Sequence, residues 1–183
     1  MKNRLLFLGP PGAGEGTQAQ ILARKHGLLH LSTGDLLREE VRADTPLGRE
    51  AKAVMARGEL VSDALVLSIV RQRLDGYEGG WLLDGFPRNL AQARALDQLL
   101  SELASGIEGV ILLELEDGVL IQRLLNRGRD DDNEAVILNR LEVYNDQTSP
   151  LIAHYRDLGL LMPVEASGTV EAITARIEAV LVD

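Results

Sequence analysis

The sequence contains no cysteine, which removes disulfides and thiolate metal sites together. Lysine is nearly absent as well, with three Lys beside sixteen Arg. Most of the cations are therefore planar guanidinium groups that stay charged and suit bidentate contacts with phosphate. No apolar run approaches the roughly 18 residues that a membrane span needs, and the basic start Met1-Lys2-Asn3-Arg4 leads into only a short apolar stretch. A soluble, cytoplasmic, monomeric protein without a membrane partner is expected. Positive charge is also in deficit. The formal net charge of −9 argues against a general nucleic-acid binder, which needs cations to displace counterions from phosphates. Any anionic ligand must be met by a local cluster of arginines. At 183 residues the chain suffices for one well-buried α/β domain carrying only small insertions.

Leu5-Leu6-Phe7-Leu8 is an apolar run stopped by Gly9-Pro10-Pro11-Gly12, and the periodic stretch from about Thr17 to His26 ends at Gly27, a natural helix stop. This reads as strand, tight loop, helix. Leu28 to Leu31 reads as a second strand. In Ser32-Thr33-Gly34-Asp35 a hydroxyl and an acid three residues on resemble a capping box for a helix through Val41. Pro46 can open a helix to Arg57 with Gly58 after it, and Ser62 can cap another reaching Leu74 before Gly76. Trp81 to Leu83 and Gly109 to Leu115 have the length and apolarity of buried strands, with a helix from Asn89 to Leu103 between them. Asp117 to Arg127 reads as helix, and Asp131 to about Leu158 as a longer helical stretch interrupted at Pro150. Leu160 to Val164 reads as a strand and Val170 to Val182 as the closing helix. Five strands alternating with helices predict a parallel sheet covered on both faces, with right-handed crossovers.

The run Gly9-Pro10-Pro11-Gly12-Ala13-Gly14-Glu15-Gly16-Thr17 lies between a predicted strand and a predicted helix, the context of a phosphate-binding loop. Glycines let successive N–H groups converge on an anion, and the helix N-terminus adds partial positive charge. One residue departs from the motif. Position 15 should be the Lys that reaches the β- and γ-phosphates, and it is Glu. A unit charge pair about 4 Å apart at an effective dielectric near 20 is worth roughly 4 kcal/mol, so repulsion in place of attraction predicts a severely impaired enzyme. Three accounts stand: an inactivating or trapping substitution, which the survival of every other catalytic group favours; a nucleotide binder that has lost catalysis; or an active enzyme compensated by nearby arginines.

From that loop through Ser32-Thr33-Gly34-Asp35-Leu36-Leu37-Arg38, Asp84-Gly85-Phe86-Pro87-Arg88, Arg127-Gly128-Arg129-Asp130-Asp131-Asp132-Asn133-Glu134 and Arg140-Leu141-Glu142-Val143-Tyr144, the chain resembles the adenylate kinases of the short-lid form. The resemblance implies a P-loop NTPase fold with one nucleotide kinase domain. Its core would be 1–31, 62–127 and 135–183, with a helical monophosphate-binding segment at 32–61 and a short lid at 128–134. It implies transfer from ATP-Mg to AMP giving two ADP. The ATP side would be Gly9 to Thr17, Arg123, Arg127 and the backbone of Gly168. The AMP side would be Thr33, Arg38, Glu59, Leu60, Val61, Gly85, Phe86, Pro87, Arg88, Gln92, Arg129 and Arg140.

By the same resemblance Arg88, Arg123, Arg127, Arg129 and Arg140 carry the catalysis, Asp84 holds Mg²⁺ through water, and the short lid carries no zinc. Asp131 and Asp132 are expected to cap the following helix. Arg123 and Arg127 stand four apart on one predicted helical face, where like charges repel unless an anion lies between them. Gln92 can both donate to and accept from an adenine edge, and Thr33 fits the adenylate pattern where pyrimidine monophosphate kinases tend to have Ala. A UMP/CMP kinase and a nucleotide-binding module without turnover remain as alternatives. A P-loop GTPase lacks support, because no Asn-Lys-x-Asp motif occurs.

Overall fold

The computed structural model of the protein describes residues 1–56, 61–128 and 133–182. Its centre is β1 (Arg4–Leu8), which has strands on both sides and helices on both faces. With β2 (Leu29–Ser32), β3 (Trp81–Asp84), β4 (Gly109–Glu114) and β5 (Leu161–Glu165) it forms a five-stranded parallel sheet of order β2-β3-β1-β4-β5. Register runs Leu6 beside Leu83 on one side and Leu6 beside Val110 on the other. The fold class is the one read from the sequence.

Alternation along β1 divides the core in two, because successive strand side chains point to opposite faces. Leu6 and Leu8 join one cluster with Trp81, Leu83 and Leu112. That face is covered by α4 (Asp63–Leu74), α5 (Leu90–Glu102) and α8 (Pro150–Asp157), through Ile69, Leu96 and Tyr155 among others. Leu5 and Phe7 join the other cluster with Leu82 and Ile111. Its cover is α1 (Glu15–His26), α6 (Asp117–Arg127), α7 (Glu134–Val143) and α9 (Val170–Leu181), through Leu22, Leu124, Ile137 and Ile177. Burial on both sides explains why β1 and β4 read as unbroken apolar runs rather than alternating ones. Among the described residues no helix is long and apolar enough to cross a membrane.

One place differs from the sequence reading for a local reason. Ser32 precedes α2 (Thr33–Arg42) but its side chain makes no cap bond to the backbone. The Asp35 carboxylate pairs instead with Arg38 one turn on, and the Ser32 hydroxyl turns to that carboxylate. Together, with the Arg38 hydrogen bond foremost, they hold the Asp35 carboxyl below its ordinary range. The long helix after Asp131 is interrupted at Pro150 as the sequence predicts, and a π-turn precedes the break. Asn133 caps α7 by accepting from Val136 N at 3.0 Å, and a π-turn, Tyr144–Thr148, separates α7 from α8. Pro150 has no N–H to continue the ladder. Ser149 N reaches back five residues to Tyr144 O at 2.8 Å, and the Ser149 hydroxyl serves the carbonyl of Asn145.

The excursion between β2 and β3 holds α2, then α3 (Pro46–Ala56), then α4. Gly48 permits the close crossing of α2 and α3, since a Cβ there would stand 1.9 Å from the Glu40 carbonyl oxygen. Helix propensity alone predicts that Gly48→Ala stabilises by roughly 1 kcal/mol. Overlap with backbone outweighs this, so the variant is expected to lose about 2–4 kcal/mol in urea unfolding. A gain in stability would mean that the two helices do not cross there.

Candidate nucleotide site

Leu8 hands the chain to the glycine loop at the carboxyl edge of the sheet, where the loop after β3 and the segment after β5 also emerge. That edge is where parallel α/β sheets bind ligands. Gly12 takes φ +85°, and a Cβ on it would press to 2.9 Å from Leu124 Cγ on α6. Only glycine meets both demands. Gly14, left-handed and without a side-chain cap, starts α1 directly. The first amides of a helix have no partners within it, so the head of α1 offers them to the cleft together with its dipole.

Two cavities meet here. One, of about 470 Å³, is lined by Gly9, Pro11, Gly85 to Arg88, Arg127 and Arg140, with Asn139, Tyr144, Gln147 and Thr148 from the α7 and π-turn arm. The other, of about 570 Å³, is lined by Gly12, Gly14, Gly16, Thr17, Asp84, Arg123 and Arg127, with Gln20, His30, Ser32 and Asp35. Glu15 and Arg127 line both. Most of the residues singled out in the sequence therefore share one cleft. Of the rest, Pro10 and Ala13 are buried beneath the loop. Thr33 packs its hydroxyl against the Gly85 backbone beside the cleft. Arg38 is exposed on α2, Val61 precedes α4, Gln92 stands on α5 outside both linings, and Gly168, with φ +93°, follows β5. Glu59, Leu60 and Arg129 lie outside the described residues, as do Asp131, Asp132 and most of the expected lid.

The arginines are held rather than loose. Arg123 donates to Ala166 O at 2.7 Å and to Ala13 O at 3.4 Å, bridging the glycine loop to the end of β5. Arg88 is gripped at three points. Its Nε donates to Gly85 O at 3.0 Å, its backbone N to Gln92 Oε1 at 2.7 Å, and its carbonyl accepts from Thr148 Oγ1 at 2.7 Å. The other end of the Gln92 carboxamide donates to Asp63 Oδ1 at 2.8 Å. Arg127 and Arg140 reach the shared cavity from α6 and α7.

Glu15 is the electrostatic centre. Desolvation where it lines both cavities pushes its carboxyl up to about 8, the Arg88 charge opposes this, and Asp84 pushes it further up. Desolvation therefore favours the neutral acid over the carboxylate. Burial also pushes Tyr144 up to about 12, with Glu15 and Glu114 adding to the rise, so Tyr144 faces the cavity as a neutral phenol. His30 pairs with Asp84, occupying one carboxylate oxygen at the end of β3. His30, Gln147 and Thr148 carried no motif of their own. They reach the cleft through tertiary packing.

A glycine loop at a helix head beside a row of clamped arginines suits a ligand bearing several phosphates. Comparison with known proteins agrees. The family model described as adenylate kinase matches residues 7–160. An adenylate kinase of Synechococcus sp. (strain CC9311) is 70% identical over 182 residues, spanning 99% of this chain and 100% of that protein. One of Parasynechococcus marenigrum (strain WH8102) is 69% identical over the same shares. That of Prochlorococcus marinus (strain MIT 9313) is 67% identical over 178 residues, 97% of this chain and 98% of its own. The match runs through the loop that holds Glu15 and the arms that hold Arg88, Arg127 and Arg140, and the chain belongs to the adenylate kinase family.

Proposed function

We propose that the chain transfers a phosphoryl group from ATP-Mg to AMP, giving two ADP, and that Glu15 slows this transfer severely. The observation that carries the reading is the shared cleft, in which Arg88, Arg127 and Arg140 line one cavity with the glycine loop while Thr17 and Asp84 line its neighbour. ATP phosphates would rest on the amides of residues 12–17, and the AMP phosphate would meet Arg88 and Arg140. Transfer then needs alignment and neutralisation of moving charge rather than a general base. The segment 32–61 and the lid 128–134 would close over the nucleotides and exclude water that could otherwise take the phosphoryl group.

The cation has a fitting donor set. Mg²⁺ usually takes one or two carboxylates plus substrate phosphates and keeps several waters, and the Asp84 carboxylate and Thr17 hydroxyl face the same cavity. Bound with ATP, it would neutralise charge on the phosphate oxygens. Gln92 and Thr33 favour adenine over a pyrimidine. Gln92 must release Asp63 before its amide can read a base edge.

Glu15 acts differently from what its formal charge suggests. As a neutral acid it adds little repulsion toward phosphate and can donate one hydrogen bond. What is missing is the attraction a cation at this position would supply. At roughly 4 kcal/mol for a close pair, that loss corresponds to about a thousandfold in rate. Binding of nucleotides with little turnover follows, which is the second reading that Glu15 itself favours.

In a coupled ADP assay Glu15→Lys is expected to raise turnover by about two to three orders of magnitude, with AMP preferred to UMP as acceptor. An ordinary kinase rate of roughly 1–100 s⁻¹ in the original chain would refute this account of position 15. Stability should also report the desolvated carboxyl. Its folded value, about 8, lies above the ordinary 4.5 of a glutamate, so the folded state holds the proton more tightly. The associated stability is present at pH below about 4.5 and is lost as pH rises through about 8. In urea unfolding between pH 5 and pH 9, Glu15→Gln should gain roughly 2–4 kcal/mol on the original chain. Parallel pH profiles would show that the carboxyl is solvated.

A further inference from the structure

Arg88 and Arg140 line one cavity from elements far apart in the chain, so something must set their spacing. Arg140 stands on α7, which runs directly into the π-turn Tyr144–Thr148. At the end of that turn the Thr148 hydroxyl donates to the Arg88 carbonyl at 2.7 Å, across 60 residues of sequence. The turn's wide geometry serves this contact. Side chains four apart on an α-helix advance about 40° around the axis at each step, so Arg140, Tyr144 and Thr148 would spiral away from one another. A π-turn places more residues in each turn and offsets that advance. All three side chains accordingly line the same cavity. The i to i+5 bond from Ser149 N to Tyr144 O, at 2.8 Å, closes the turn that makes this possible.

We propose that Thr148 is a positioning residue for AMP binding, its hydroxyl fastening the arm that carries Arg140 to the loop that carries Arg88 and so setting the gap between the two guanidinium groups. The proposal rests on the reading of Arg88 as a ligand of the AMP phosphate. The other two holds on Arg88 are local, since Gly85 O and Gln92 Oε1 lie within four residues of it. They shape the loop but do not relate it to α7. Thr148 alone among these three bonds joins the loop to the arm.

Calorimetric titration of the full chain with AMP tests this without needing turnover. Thr148→Val keeps the shape and removes the hydroxyl, and it is expected to weaken AMP binding by roughly three- to tenfold while ATP binding changes less than about twofold. Thr148→Ser, which keeps the donor, should restore most of the affinity. In an Arg88→Gln background, Thr148→Val should add nothing further, because the hydroxyl acts through Arg88. Equal loss of AMP and ATP affinity, or no recovery with Ser, would assign Thr148 a general structural role and overturn the proposal. If Arg88→Gln weakens AMP binding and Thr148→Val does not, the positioning role alone falls. If Arg88→Gln has no effect, the phosphate reading of Arg88 falls with it.

Discussion

The structure depends on a single strand, β1, that is buried on both faces and ends where the glycine loop begins. Leu5 and Phe7 anchor it to one helical layer, Leu6 and Leu8 to the other. A strand locked from both sides delivers Gly9 to one point at the carboxyl edge. The close approach of Gly12 to Leu124 then couples the loop to α6, the helix that carries Arg123 and Arg127. Packing of apolar side chains thus sets the place where charge must gather. The acidic molecule around it leaves that gathering local.

Around the loop, backbone carbonyls act as the counterparts of arginine. Arg123 is held by Ala13 and Ala166, and Arg88 by Gly85. A neutral carbonyl orients a guanidinium group without cancelling its charge, whereas a carboxylate partner would compete with phosphate. Arg38 is built differently, paired with Asp35 on the exposed side of α2. Solvent screening makes such an exposed pair weak.

Position 15 shows how the surroundings change what a residue type means. A carboxylate written into a phosphate loop reads as a reversed charge. The cleft desolvates it beside Asp84, and its carboxyl holds a proton well above the ordinary carboxylate range. On the proposed reading, the position lacks a cation more than it adds an anion. The Arg88 charge opposes this rise but does not outweigh the cost of burial.

The buried apolar runs of the strands, the glycines at helix ends and the cap at Ser62 belong to the sequence itself, because burial periodicity and local backbone chemistry act over a few residues. That is why the strands and most helix ends could be read within a residue or two, and why the glycine loop and the arginine motifs were visible in order. Contacts across long separations could not be read. The pairing of His30 with Asp84, the bond from Thr148 to Arg88, the hold of Gln92 on Asp63 and the protonation of Glu15 all depend on which elements meet at the edge of the sheet. The sequence by itself determined the alternating α/β layers and the chemical groups available. Only the tertiary structure decided which of those groups face one cleft and in what charge state, because both depend on distance and desolvation rather than on order along the chain.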